Sequence, residues 1–335
     1  MRNNNVFSRL ARGQLLSLTQ EKIVFLLAVL LFAVFSFSLT GFASVDNLLG
    51  LLYNVSVLGV LGLAMALVVI GRGIDLSLIA TMAISVAWSL TLIRDGVSIE
   101  AALLYGMLMA LGIGIINGWL IAYAEIPALF CTLAMGTLVY GFGRIALIPV
   151  DVVYMPADPG WFGALGQGEL FGIPAPVIVF VLLSVVATLV LRYTRFGRYT
   201  YYMGDNYQAA RITGVPTRPM LVMQYGVTAL IGFAAGLVTA ASVDSMNTRI
   251  VNSTMIYDVI LVVVLGGIGL SGGKGGVRNV IVGTLLIGIL LNGMTIMNIE
   301  YTVQNFIKGA ILLAALIFDS LINPRDEQTA QQGDI

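Results

Sequence analysis

Ten apolar runs long enough to cross a bilayer leave this chain few folds to choose from. The hydrocarbon core is about 30 Å thick and takes about 20 helical residues to span. Runs of that order fall at 23–40, 48–70, 74–93, 100–122, 127–148, 174–191, 219–242, 256–271, 278–298 and 302–322. With 59% hydrophobic residues and only 10% charged over 335 positions, the chain cannot cover a water-facing surface. The runs therefore predict an all-α polytopic membrane protein of about ten transmembrane helices, since helices satisfy their backbone within one segment. The nine prolines (127, 149, 156, 159, 174, 176, 216, 219 and 324) all fall at or outside the edges of these runs, where helices start and stop. Residues 23–322 are read as the membrane domain. Residues 1–22 are read as a cytoplasmic segment leading into an uncleaved first span, and 323–335 as a cytoplasmic tail.

Net charge is zero, so orientation rests on where the charges stand. The loop 149–173 carries Asp151, Asp158 and Glu169 without lysine or arginine, together with Tyr154, Trp161 and Phe162, and is placed outside. Five spans separate it from the basic N-terminal segment, and the sixth returns the chain inside, to the loop 192–218. The inside loops then hold Arg2, Arg9, Arg12, Lys22, Arg72, Arg192, Arg195, Arg198, Arg211, Arg218, Lys274, Arg278 and Arg325, which is 13 of the 17 basic residues. Parity and charge agree on cytoplasmic N- and C-termini. Five spans on either side of the outer loop suggest two inverted five-helix halves. A short echo supports this, Gly112-Ile-Gly-Ile-Ile-Asn117-Gly118 in the fourth span and Gly288-Ile-Leu-Leu-Asn292-Gly293 in the ninth. The 38 glycines fit close helix packing in lipid, where no hydrophobic force draws helices together.

Composition also excludes chemistry. There is no histidine, and the single cysteine, Cys131, lies inside an apolar run, so disulfides, histidine metal sites and histidine acid–base catalysis are out. No cofactor and no nucleic acid are expected, and no bond chemistry is assigned to the chain. The segment GGIGLSGGKGG at 266–276 imitates a phosphate-binding loop, but Lys274 is followed by Gly275 rather than Ser or Thr, and its flanks are membrane spans. It reads as a glycine-rich turn with Lys274 and Arg278 as inside anchors.

The long polar stretch is Arg192 to Arg218, RYTRFGRYTYYMGDNYQAARITGVPTR, with five arginines against Asp205 alone. Its arginines could simply be solvated anchors. Within it, Asn206-Tyr-Gln-Ala209-Ala210-Arg211-Ile-Thr213-Gly214 predicts a short helix begun by Asp205 or Asn206 and stopped at Gly214, a docking knob on the cytoplasmic side. Here the chain resembles the permease subunits of ATP-binding-cassette importers for ribose, galactose and related sugars. The resemblance runs in order through Gly73-Ile74-Asp75-Leu76-Ser77, Ile126-Pro127-Ala128 with Thr132-Leu133, Phe196-Gly197-Arg198-Tyr199, Ala209-Ala210-Arg211, Asp258 ahead of Gly266-Gly267, Leu270-Ser271-Gly272-Gly273-Lys274-Gly275 and Asn292-Gly293.

That resemblance implies a bacterial inner-membrane permease, homodimeric or paired, with a cytoplasmic ATPase seated on the 205–214 helix and a periplasmic sugar-binding protein docking outside. Gly204, Asp205, Asn206, Ala209, Ala210, Arg211 and Gly214 become the candidate ATPase-coupling residues. A tryptophan at Gly204 or Ala210 should abolish transport and leave folding intact. Three departures bear on the solute: Ile256-Tyr257-Asp258 where Glu-Leu-Asp is common, Leu78-Ile79-Ala80 where Gly-Ser is common, and Gly204-Asp205-Asn206 where Gly-Gly-Asn is common. The first two move the expectation away from a pentose alone, toward other monosaccharides, polyols or a nucleoside.

Polar groups inside spans are costly unless they meet a partner or a cavity, which makes Asn54, Asp75, Asn117, Thr132, Asp258 and Asn292 the candidate pathway residues. Asp75 is expected to pair with the neighbouring Arg72, and Asp258 to sit near the outer interface. Arg144 and Lys308, in the outward halves of the fifth and tenth spans, are expected to snorkel or to meet the binding protein. The competing reading is a facilitator or ion-coupled carrier that needs no ATPase. An ion-coupled carrier would depend on Asp258 or Asp75.

Overall fold

The computed structural model describes residues 20–322; the segments 1–19 and 323–335, with Arg2, Arg9, Arg12, Pro324 and Arg325, lie outside the described residues. Helices dominate. In chain order they are α1 (Gln20–Ser38), α2 (Val45–Ile70), α3 (Leu78–Arg94), α4 (Ile99–Tyr123) and α5 (Ala128–Phe142, continued by a π-turn Gly143–Leu147), then α6 (Ala164–Gln167) and α7 (Ala175–Tyr193). After these come α8 (Arg195–Asp205), α9 (Tyr207–Ile212), α10 (Thr217–Ser242), α11 (Met255–Leu265), α12 (Val277–Ile296) and α13 (Tyr301–Ile322). Four short strands lie between them, β1 (Val152–Tyr154), β2 (Glu169–Leu170), β3 (Ile173–Pro174) and β4 (Ser245–Asn247). Starts follow local chemistry: Ser44, Ser98 and Thr194 each accept a hydrogen bond from a first-turn N–H, and Pro127, Pro174 and Pro216 stand at the caps of α5, α7 and α10.

Among the described residues, seven helices are long and apolar enough to cross a membrane, α1, α2, α4, α5 with its π-turn, α7, α10 and α12. The third and eighth runs hold shorter apolar helices, Leu78–Arg94 and Met255–Leu265, and the tenth holds α13, whose apolar part is Tyr301–Ile317. All ten runs hold a helix, and seven of these helices have full span length among the described residues. Ahead of the third run α2 stops at Gly71, Arg72 takes φ 68°, and regular structure resumes only at Leu78, four residues into that run. In the eighth, α11 has 11 residues, about 16 Å at 1.5 Å per residue. It ends at Gly266, and Gly267, Gly272, Gly273 and Gly275 all take positive φ. Hydropathy missed the extent of these breaks, though not the turns at 71–73 and 266–276, because Ile74, Leu76, Ile268 and Leu270 remain apolar through them.

Helix α10 is the axis of the packing, with α2, α3 and α4 all against it. One apolar core joins α2, α11 and α12 through Leu61, Met65, Val262 and Ile287; another joins α3, α4 and α10 through Ala83, Ile84, Ile113 and Phe233. Close approach explains the paired glycines: a Cβ on Gly118 would lie 2.5 Å from Val222 Cα, and one on Gly293 would lie 2.1 Å from the Phe35 ring.

At one end of α10, β1 pairs antiparallel with β4, Val153 opposite Met246, and Asp151 binds both Arg144 (2.7 Å) and Arg249 (2.6 Å). At the other, the turn 71–77, the segment 195–218 and the loop 266–276 gather. The loop 149–173, expected outside, thus lies at one end, and three of the segments expected inside share the other.

Candidate functional site

The end of α10 where these three segments gather is assembled around α8. Gly197 lets this helix fold back beneath α7, since a Cβ there would fall 2.1 Å from the Leu191 carbonyl oxygen. Its buried face carries Thr200, Met203 and Gly204; its outer face carries Arg195, Arg198 and Tyr202. Met203 joins Ala210, Val215 and Met220 in a small core of its own. Thr200 accepts a hydrogen bond from Gln224 Nε2 of α10 at 3.0 Å, and the Tyr201 hydroxyl donates to the Gly275 carbonyl at 2.8 Å. Burial holds the Tyr201 phenol above its ordinary pKa.

Gly204 is the closest point. A Cβ built on it would lie 1.9 Å from the Ile70 carbonyl oxygen and 2.5 Å from the Gly273 nitrogen, and that nitrogen donates to the same Ile70 oxygen at 2.9 Å. The breaks that follow α2 and α11 therefore meet each other and α8 in one junction. Gly204 is buried in it, and Ala210 is buried beside it against Met203, Val215 and Met220. Contrary to the sequence expectation, a tryptophan at either position would disrupt the fold and would not report on docking.

From this base α9 stands out into solvent. Asn206 caps it, its Oδ1 accepting from Ala209 N–H at 2.9 Å, and Gly214 leaves it at φ 87°. Ala210 is its buried anchor, while Asp205, Asn206, Ala209, Arg211 and Gly214 are exposed. So is Ile212, at 84%. Sequence reading passed over Ile212, although an isoleucine inside the polar stretch was the available signal. Arg218 is tied to Glu125 at 2.9 Å, and Arg192, Arg195, Arg198 and Arg211 are exposed.

Three of the six intramembrane candidates come together at the break before α3. Asp75, 1% exposed, accepts at Oδ1 from both the N–H (2.9 Å) and the hydroxyl (2.6 Å) of Ser77. Asn117 Nδ2 donates to Ser77 Oγ at 2.8 Å, and Thr132 Oγ1 accepts from Leu76 N–H at 3.0 Å. Tyr225, fully buried, donates to the Ile74 carbonyl at 3.1 Å. Unwound backbone at membrane depth needs such internal partners. Asn279 does the same for the other break, donating from Nδ2 to the Gly266 carbonyl at 2.7 Å. Ser77, Tyr225 and Asn279 were missed, yet each is a polar residue in or beside an apolar run, the rule that selected Asn117.

The remaining candidates lie apart. Asn292 and Asn47 exchange reciprocal amide hydrogen bonds, both 3.0 Å. Asn54 is exposed on α2. Asp258 of α11 binds Lys308 of α13 at 2.8 Å with little exposure on either side chain, beside a cleft of about 260 Å³. Lys308 therefore neither snorkels nor stands ready for a partner, and Arg144 is likewise engaged, by Asp151 and the carbonyls of Ile148 and Val150. Asp75, expected beside Arg72, is held by Ser77.

Residues 47–316 match the family described as branched-chain amino acid transport system / permease component. The chain is 29% identical over 317 residues to the ribose import permease protein RbsC of Escherichia coli (strain K12), covering 90% of this chain and 94% of that one. It is 33% identical over 273 residues to the protein of that name in Bacillus subtilis (strain 168), covering 82% of this chain and 84% of that one. To the L-arabinose transport system permease protein AraH of Escherichia coli (strain K12) it is 31% identical over 281 residues, 83% of this chain and 84% of that one. No solved structure matches the chain significantly. The chain is a multi-pass membrane permease and belongs to the branched-chain amino acid transport system / permease component family.

Proposed function

We propose that this chain is the pathway-forming permease subunit of an ATP-binding-cassette importer for a monosaccharide or related polyol in a bacterial inner membrane. A separate ATPase drives it, and a periplasmic binding protein delivers its solute. The observation that carries the reading is the outward-facing α9, held by Met203, Gly204 and Ala210 on the junction of the two helix breaks. A partner pressing on α9 moves α8, and α8 touches both breaks at once. The permease names of the ribose and arabinose relatives support the solute class.

Two inverted halves are supported by matched packing. The fourth span packs on the seventh (α4 on α10) as the ninth does on the second (α12 on α2). The third packs on the fifth (α3 on α5) as the eighth does on the tenth (α11 on α13), and both short helices, α3 and α11, follow or precede a glycine-rich break. A second copy completes the transporter in this reading.

Of the pathway candidates, Asn54 stands exposed for solute, while Asp75, Asn117 and Thr132 shape the break at the far end of α2. Ion coupling is not favoured, because Asp75 is committed to Ser77 and Asp258 to Lys308.

Affinity purification of the chain from native membranes in mild detergent tests the proposal. A stoichiometric ATPase and ATP-dependent uptake of D-ribose, L-arabinose or a polyol in liposomes are expected. A chain that emerges alone and moves solute without ATP would overturn it.

A further inference from the structure

Helices α1 and α12 pack side by side and begin at the same, inner end. Each carries a cation followed one turn later by an apolar pair: Lys22 ahead of Phe25 and Leu26 on α1, Arg278 ahead of Ile281 and Val282 on α12. Residues three and four apart share a helix face, so both helices present charge at one level and hydrocarbon at the next. Between them lies a groove of about 490 Å³ whose walls are those four apolar side chains and whose rim is Glu21, Lys22 and Arg278. Lys22 and Arg278 are exposed, and neither has an ion-pair partner among the described residues. Phe25 is 50% and Leu26 56% exposed.

We infer that this groove binds an anionic phospholipid of the inner leaflet, the phosphate between Lys22 and Arg278 and an acyl chain along Phe25 and Ile281. Basic pockets between spans on the cytoplasmic side suit such headgroups. Two cations against Glu21 leave one net positive charge at the rim, which one headgroup charge balances; a zwitterionic lipid brings no net charge to it. The inference rests on this end facing the cytoplasm, but its test does not depend on transport.

The full chain, purified in mild detergent, is titrated with phosphatidylglycerol, phosphatidylethanolamine and phosphatidylcholine and read by native mass spectrometry. Wild type is expected to retain phosphatidylglycerol preferentially. Lys22→Gln with Arg278→Gln is expected to weaken that retention about thirtyfold, the loss of two surface cations with Glu21 unchanged. Ile281→Trp, which fills the groove and keeps the charges, is expected to reduce it as well, whereas Arg249→Gln at the outer end leaves it unchanged. Equal retention of the three lipids by wild type would overturn the inference without any variant, as would unchanged binding in a folded double variant.

Discussion

Gly204 lies so close to Ile70 that a Cβ added to it would fall 1.9 Å from the Ile70 carbonyl oxygen. That oxygen already accepts from Gly273 N–H, so three separate segments converge on one backbone atom. None of the three can move alone. A displacement of α8 must therefore be felt at the ends of α2 and α11, the two places where the membrane helices are interrupted.

Gly204→Ala is expected to force α8 off this junction. Overpacking against backbone costs about 1–3 kcal/mol, and flexible side-chain relief is absent because the neighbours are Ile70 and Gly273 main chain. Thermal unfolding in detergent should show a lowered midpoint, with uptake reduced even in the protein that remains folded.

Ile212→Asp and Ala209→Trp change exposed positions on α9 and should leave folding intact. Burying an isoleucine against a partner is worth about 1.5–3 kcal/mol, so Ile212→Asp should weaken ATPase association about tenfold or more. Co-purification and ATP-driven uptake should fall together, while the thermal midpoint stays put.

Asp258 and Lys308 form a pair with side-chain exposures of only 16% and 8%. Removing one partner of such a pair leaves an uncompensated charge, at about 3 kcal/mol, so Asp258→Asn and Lys308→Met should each be destabilised. Asp258→Lys with Lys308→Asp should recover much of the loss in the same unfolding assay, because the pair is restored with reversed sense.

Tyr201 gives a pH signature. Its phenol is raised above 10.0 by burial, so the folded state holds the proton more tightly than the unfolded state. The Tyr201 contribution is thus complete below the unfolded pKa near 10 and is lost as pH rises through the folded value. Tyr201→Phe should lower stability by about 1 kcal/mol at neutral pH through the lost Gly275 bond, and its unfolding midpoint should fall less steeply than wild type above pH 10.

The sequence was most legible where one physical rule acted alone. Run length marked the long helices, charge placement sorted the segments that the fold gathers at two ends, and Asn206 with Gly214 bounded α9. Hydropathy carried two runs too far, over 74–77 and 266–271, because segments lined with Ile74, Leu76, Ile268 and Leu270 are as apolar as a helix, although 266–276 was legible as a glycine-rich turn. The polar rule found Asp75, Asn117 and Thr132, but not that Ser77, 40 residues from Asn117 in sequence, joins them. Nor could a local reading tell exposed Ala209 from buried Ala210, since Met203 and Met220, which enclose Ala210, come from other helices.

Cross-linking at Ala209 is the deciding experiment for α9 as the ATPase seat. Cys131 is the chain's single cysteine and is buried, so Ala209→Cys in a Cys131→Ser background gives one reactive site. Labelling should occur in inside-out vesicles and not in right-side-out ones, and a short bifunctional reagent should join the chain to a separate ATPase subunit with loss of uptake. Labelling from the outside, or undiminished ATP-driven uptake after quantitative modification of Ala209→Cys with a bulky maleimide, would contradict it.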